Sequence, residues 1–190
     1  MRLGLLGGSF DPPHIGHLLT AGDALEALAL DQLVFIPAAV QPLKVGRAVA
    51  APEHRLAMVR LMAESDSRFA VDSIEIDRDG LSFTVDTLAA YAARYPDAER
   101  FLIVGADILP TFHHWRAPER IAQLATIAVM ARMDGTPDLS SVPGRTVLLP
   151  TRRVDVSSTE IRQRVRDGKT IRGFVPEAVA AYIAAQRLYR

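Results

Sequence analysis

One stretch constrains this chain more than any other: Gly7-Gly8-Ser9-Phe10-Asp11-Pro12-Pro13-His14-Ile15-Gly16-His17, set directly behind the apolar run Met1 to Leu6. Leu3, Leu5 and Leu6 form a short apolar run bounded by turn residues, as a buried parallel strand does. From Ile15 onward Leu18, Ala21, Leu25 and Leu28 recur at helical spacing. The glycines, Ser9 and both histidines therefore fall at a strand-to-helix junction. Gly7 and Gly8 permit close backbone approach, Pro12 and Pro13 stiffen the turn, and the helix start offers free N–H groups and partial positive charge to an anion. Phosphate is the expected guest. His14 and His17, three apart, share one helical face, and nearby phosphates would favour their charged, doubly donating form.

The rest of the chain limits what surrounds that junction. A length of 190 residues suits one domain over 1–190, large enough to bury a sizeable core. The 22 Lys and Arg balance the 22 Asp and Glu, so no general field exists for coating nucleic acid and any anion site must be local. Without cysteine there is no disulfide, thiolate metal site or Cys nucleophile. No apolar run approaches the ~20 residues of a membrane span, and the N-terminus lacks a signal-peptide core. A cytoplasmic protein is expected, with association into a homo-oligomer left open.

Leu33 to Pro37 reads as a second buried strand, giving a right-handed strand-helix-strand unit and a three-layer α/β fold. Ala38 to Ala51 reads as a long loop carrying Lys44, which on spacing alone is a solvated charge. Pro52 opens a helix to Ala63 with Leu56, Val59 and Met62 inward, His54 at the surface and Arg55 unassigned. Phe69 to Asp72 and Ser73 to Asp77 alternate apolar and polar residues as short strands do. Ser82 or Thr84 caps the next helix, striped by Val85, Leu88, Tyr91, Ala92 and Tyr95.

Phe101 to Val104 is a central strand ending in Gly105-Ala106-Asp107, where open α/β sheets bind ligands. Asp107 suits a ribose hydroxyl, a helix N-cap or both. Trp115, unaided, is a core or hinge aromatic. His113 and His114 lack a third ligand at recognisable spacing, so no metal site is assigned. Thr126 to Met130 and Thr146 to Leu149 are further strands, with Arg132 beyond the first. Ser157 and Glu160 have capping-box spacing, and a hydroxyl-rich helix start followed by Arg162 is a second anion site. Gly168-Lys169-Thr170 imitates a P-loop end, but Gln163 stands where that motif needs glycine. The Gly-x-Gly-x-x-Gly fingerprint after the first strand and the Gly-x-Ser-x-Gly elbow are absent.

The stretch from Gly7 to His17 resembles the signature of the His-x-Gly-His nucleotidyltransferases, and closely that of bacterial nicotinate-nucleotide adenylyltransferases. Ser157-Ser158-Thr159-Glu160-Ile161-Arg162 resembles the family's carboxyl-terminal motif, and Ser82-Phe83-Thr84-Val85-Asp86-Thr87-Leu88 its Ser-Tyr-Thr-x-Asp-Thr-Leu segment, with Phe83 for tyrosine. The resemblance implies a Rossmann-like parallel sheet flanked by helices and transfer of AMP from ATP to nicotinate mononucleotide. It implies that His14 and His17 are catalytic and that Gly7, Gly8, Ser9, Phe10, Lys44, Gly105, Asp107, Arg132, Ser157, Ser158, Thr159 and Arg162 bind ATP. Thr84 and Trp115 would bind the mononucleotide, Trp115 by stacking on its pyridine ring, and Mg²⁺ would come bound to the ATP phosphates. Leu43 precedes Lys44 where relatives often carry histidine. Two other readings are a related transferase with another phosphate acceptor and a non-catalytic nucleotide sensor.

Overall fold

The computed structural model describes residues 1–40, 50–132, 137–140, 142–152 and 154–190. Among them β1 (Arg2–Gly8), β2 (Gln32–Pro37), β3 (Phe69–Val71), β4 (Glu99–Gly105), β5 (Thr126–Arg132) and β6 (Thr146–Thr151) form a parallel sheet. Its order is β3-β2-β1-β4-β5-β6. The chain lays down β1 to β3 in one direction and returns to the other side of β1 with β4. The order therefore reverses at β1, and the crevice beyond the carboxyl ends at such a point is where open sheets hold ligands. The register opens it: β1 pairs with β2 as far as Gly8↔Pro37, whereas its pairing with β4 stops at Leu5↔Leu102.

The strands are apolar on both faces because helices cover both. Leu6, Phe35, Phe101, Ile103 and Ala128 face α1 (Ile15–Ala27), α2 (Pro52–Ala63), α6 (Ser158–Arg166) and α7 (Glu177–Ala185). Leu3, Leu5, Val34, Ile36, Leu102 and Val129 face α4 (Thr84–Arg94), the 3₁₀ segment Ala106–His114 and α5 (Pro118–Leu124). Each large side chain fully buried there contributes about 1.5–3 kcal/mol. Among the described residues no helix is long and apolar enough to cross a membrane.

Three local expectations are corrected. Ser73 to Asp77 is not a strand: Ile74–Arg78 is a short helix, α3. The Ile74 N–H donates to Asp72 Oδ1 at 3.0 Å, an Asx-type start that outweighs a two-residue alternation. Neither Ser82 nor Thr84 caps α4; Phe83 holds the N-cap position without a side-chain bond, and Ser82 Oγ accepts instead from the Ala39 N–H at 2.9 Å. On α2 the inward residues are Arg55, Met58, Val59 and Met62, with Leu56 only half-buried. His54 is half-buried too, its Nδ1 2.9 Å from the Tyr182 hydroxyl.

Candidate active site

The strand-to-helix junction lies where the sequence puts it. Gly7 and Gly8 are the last residues of β1. Phe10 follows with φ 48° and turns its ring back into the core. A Cβ on Gly8 would lie 3.0 Å from that ring, and the ring meets His17 edge-on at 5.0 Å between centroids. Phe10 thus packs under the site, leaving only its backbone to face a ligand.

His14 occupies the N-cap position of α1. Its N–H donates to His17 Nδ1 at 3.2 Å, so neutral His17 carries its proton on Nε2. The two rings stack with centroids 3.7 Å apart. Gly16 makes this possible: a Cβ there would stand 2.9 Å from His14 Nδ1. His14 is 9% exposed, and its Nδ1 is buried without a hydrogen-bond partner. Burial pushes its pKa down from 6.5 to about 4, because desolvation penalises the charged form. Burial thus keeps His14 neutral at pH 7 in the ligand-free protein, and a bound anion would favour its charged form.

The second motif is fastened onto the first. Ser157 caps α6 by accepting from the Glu160 N–H at 3.1 Å. Ser158 Oγ donates to the Pro12 carbonyl at 2.8 Å. Arg162 donates to the Asp11 carbonyl at 2.7 Å and to Thr159 Oγ1 at 3.2 Å. Beside this junction lies a cleft of about 660 Å³ whose walls include His14, His17, Thr20, Gly105, Asp107 and Arg152. Asp107 is exposed and does not cap the 3₁₀ segment, whose N-cap position is Gly105. Its carboxylate folds over Gly105, where any Cβ would collide with Oδ1. Arg152 was not foreseen; it forms a two-pronged ion pair with Asp23, the shortest contact 2.6 Å, and no sequence motif marks it. Arg132 ends β5, but its side chain, like all of Lys44, lies outside the described residues.

On the other side of Gly7 and Gly8 is a cavity of about 70 Å³ lined by those glycines, Glu75, Ser82, Thr84 and Trp115. Trp115 is half-buried, its ring centroid 5.2 Å from that of Phe112. Its Nε1 is buried without a hydrogen-bond partner. Behind Thr84, the Thr87 hydroxyl donates to buried Glu75 Oε1 at 2.7 Å and accepts from Arg78 Nη2 at 3.2 Å. Sequence reasoning missed Glu75, which read as a strand residue, and Thr87, which read as one more position on a capped helix.

Arg55 is 1% exposed. It donates to the carbonyls of Ser9 (2.8 Å), Ala39 (3.0 Å) and Ala50 (3.2 Å). Burial pulls its pKa down while Asp11 pulls it up. The guanidinium thus ties the signature loop to the chain after β2 and before α2, a role in reach of arginine's forked donors and not of lysine's ammonium.

The cytidylyltransferase-like family matches residues 5–164. A probable nicotinate-nucleotide adenylyltransferase of Gemmatimonas aurantiaca is 54% identical over 198 aligned residues, covering 100% of this chain and 93% of the relative. The chain belongs to the nicotinate-nucleotide adenylyltransferases. Probable adenylyltransferases of the same name from Roseiflexus sp. and Thermus thermophilus are 46% and 45% identical, covering 99% and 100% of this chain and 98% and 100% of theirs. A Plasmodium falciparum nicotinic acid mononucleotide adenylyltransferase complexed with NaAD superposes with TM-score 0.80 at 17% identity, covering 99% of this chain and 97% of that one. That likeness is one of fold, and the parallel, helix-flanked sheet of the adenylyltransferases is the expected one.

Proposed function

We propose that this chain, acting as one domain in the cytoplasm, transfers AMP from ATP to nicotinate mononucleotide, giving deamido-NAD and pyrophosphate. The observation that carries this reading is a pair of cavities beside the signature stretch, one walled by His14 and His17, the other by Gly7, Gly8, Thr84 and Trp115. They lie on opposite faces of the sheet near the glycine edge that ends β1, and in this reading phosphates entering from the two sides meet there.

The acceptor phosphate is an ionised nucleophile at neutral pH. One of its oxygens attacks the α-phosphorus of ATP in line, the bond to the bridging oxygen breaks, and pyrophosphate leaves with the electron pair. No general base is required, and the protein's work is positioning and charge stabilisation. His17 and His14 stand against the α-phosphate and the departing pyrophosphate. The α6 start, through Ser157, Ser158, Thr159 and Arg162, holds the outer phosphates, where backbone N–H groups and a forked cation suit phosphate oxygens. Asp107 and Gly105 take the ribose side; Thr84 and Trp115 take the pyridine ring, whose electron-poor face suits an indole. Lys44 and Arg132 rest on family resemblance. Mg²⁺ would come with the ATP substrate and would offset the charge of its phosphates.

The test is pyrophosphate release by the purified protein with ATP and Mg²⁺, offering nicotinate and nicotinamide mononucleotides in parallel. Faster release with the nicotinate form is expected. Release with neither would leave another acceptor or a sensor in its place.

A further inference from the structure

The cleft beside His14 and His17 has a second, less polar end. Its walls include Met130, Ala131, Val156 and Arg152, and Arg152 is the one lysine or arginine among the described residues that line it. Helix α1 connects the two ends. His17, Thr20 and Asp23 follow each other at three-residue spacing, so they lie on one stripe of the helix. The six residues from His17 to Asp23 advance about 9 Å along its axis. The cleft follows this stripe: His17 and Thr20 line it, and Arg152, bonded to Asp23, stands at its far end. A nucleotide phosphate held against His17 thus has room to run its base toward Arg152.

Asp23 fixes Arg152 in place. Its two oxygens accept from Arg152 Nε at 3.1 and 3.0 Å, Oδ1 accepts from Nη2 at 2.6 Å, and Oδ2 accepts from the Arg152 backbone N–H at 3.3 Å, across 129 residues of sequence. These bonds hold the Asp23 carboxyl below the ordinary carboxylate range, so a full negative charge meets the guanidinium. The Asp23 side chain is only 15% exposed, whereas that of Arg152 is 58% exposed. A guanidinium tied along its Nε edge has its charge already paired and its plane fixed, yet stays open to the cleft. Such a group is a weak anchor for phosphate, which competes with Asp23 for it, and a good flat surface. Guanidinium planes stack on aromatic rings, nucleotide bases among them.

We propose that Arg152 is a binding residue for the base of ATP, offering the face of its guanidinium to the purine ring, and that Asp23 is the positioning residue that holds it there. The inference rests on ATP occupying this cleft with its phosphates at the histidines and the α6 start, and it assigns the base end of the same site.

Displacement calorimetry on the full chain with MgATP and magnesium tripolyphosphate tests it, because tripolyphosphate carries the phosphates without the base. Arg152→Ala is expected to weaken MgATP about tenfold, the scale of one lost stacking contact, and to leave tripolyphosphate unchanged, which also shows that the variant is folded. Arg152→Lys should lose as much, since an ammonium keeps the charge and lacks the plane. Asp23→Ala should weaken MgATP as well, and in the Arg152→Ala background it should add no further loss. Equal weakening of both ligands would make Arg152 a phosphate cation and overturn the inference. No weakening of MgATP, wild-type affinity in Arg152→Lys, or a further loss from Asp23→Ala in the double variant would each overturn it too. The wild type separates the two levels: if tripolyphosphate fails to displace MgATP from it, the phosphate-site reading fails and takes the inference with it. If displacement occurs and Arg152→Ala binds MgATP as the wild type does, the inference alone fails.

Discussion

The two sides of the glycine edge are built in opposite ways. On the α1 and α6 side, polar groups from distant motifs bond each other across the cleft wall: Ser158 to Pro12 and Arg162 to Asp11, 146 and 151 residues apart. Its histidines are stacked, and His14 is left without a partner for Nδ1. On the α3 and α4 side the buried polar groups satisfy one another locally, Thr87 with Glu75 twelve residues away, and the orphan is the Trp115 indole N–H. A site for mobile, strongly charged phosphates needs donors held ready at its surface. On the proposed function the second side is a slot for one flat ring, which needs a fixed wall, so its polar chemistry goes into rigidity.

If this contrast holds, the largest effects belong to the phosphate side. His17→Ala should cut turnover roughly 10²- to 10³-fold, the scale of a lost donor to developing charge, with circular dichroism unchanged. Pyrophosphate release by a well-folded variant at close to the wild-type rate would remove His17 from the chemistry.

The unpartnered His14 makes the same side sensitive to acid. Its folded pKa, about 4, lies below the unfolded value of 6.5, so the unfolded chain binds more protons between those two pH values. The contribution to stability is whole above pH 6.5 and is lost as the pH falls to 4, a swing of at most roughly 3 kcal/mol. Urea unfolding followed from pH 7.5 to 4.5 should show a steeper fall for the wild type than for His14→Gln. Parallel curves would mean that His14 is not the group held neutral.

Gly16→Ala sharpens the comparison more gently. The new Cβ meets the His14 ring at 2.9 Å, so the ring or the helix start must shift by a few tenths of an ångström. Activity should fall roughly 10- to 100-fold through misplacement of an otherwise intact histidine. The measurement is kcat with the mononucleotide KM alongside, and a change in KM alone would place the strain on the wrong side of the glycine edge.

The same contrast governs what could be read from residues alone. Gly7 to His17 and Ser157 to Arg162 are contiguous, with each residue type chosen by local backbone or anion chemistry, and both were legible down to the Ser157 cap. Arg55 was not, because an arginine on an exposed-looking helix reads as solvated until the carbonyls of Ser9, Ala39 and Ala50 gather around it. Glu75 was misread because Ser-Ile-Glu-Ile-Asp alternates like a strand. What makes it helical is one Asp72 side-chain bond together with a partner, Thr87, on another element. Phe10 lies inside the signature, and its left-handed backbone, which turns the ring into the core, is not legible from its neighbours. Chemistry carried by short motifs is visible in a sequence. Walls assembled from single residues of separate elements become visible only when folded.

The smallest effect tests the acceptor wall. Thr87→Val keeps the shape of the side chain and removes its hydroxyl, leaving Glu75 Oε1 without that donor and Arg78 Nη2 without that acceptor. A buried acceptor stripped of its donor costs about 1–3 kcal/mol, so the urea midpoint should fall by that equivalent at an unchanged slope. Thr84 sits three residues before Thr87 on α4, and Glu75 lines the same cavity as Thr84 and Trp115. Loosening this wall should therefore raise the KM for nicotinate mononucleotide a few-fold and leave the KM for ATP where it was. The split in KM is the informative part. A stability loss alone would make Thr87 a core hydroxyl like any other, whereas a rise in both KM values would mean that the two sides of the glycine edge move as one body and that the division of labour between them is false.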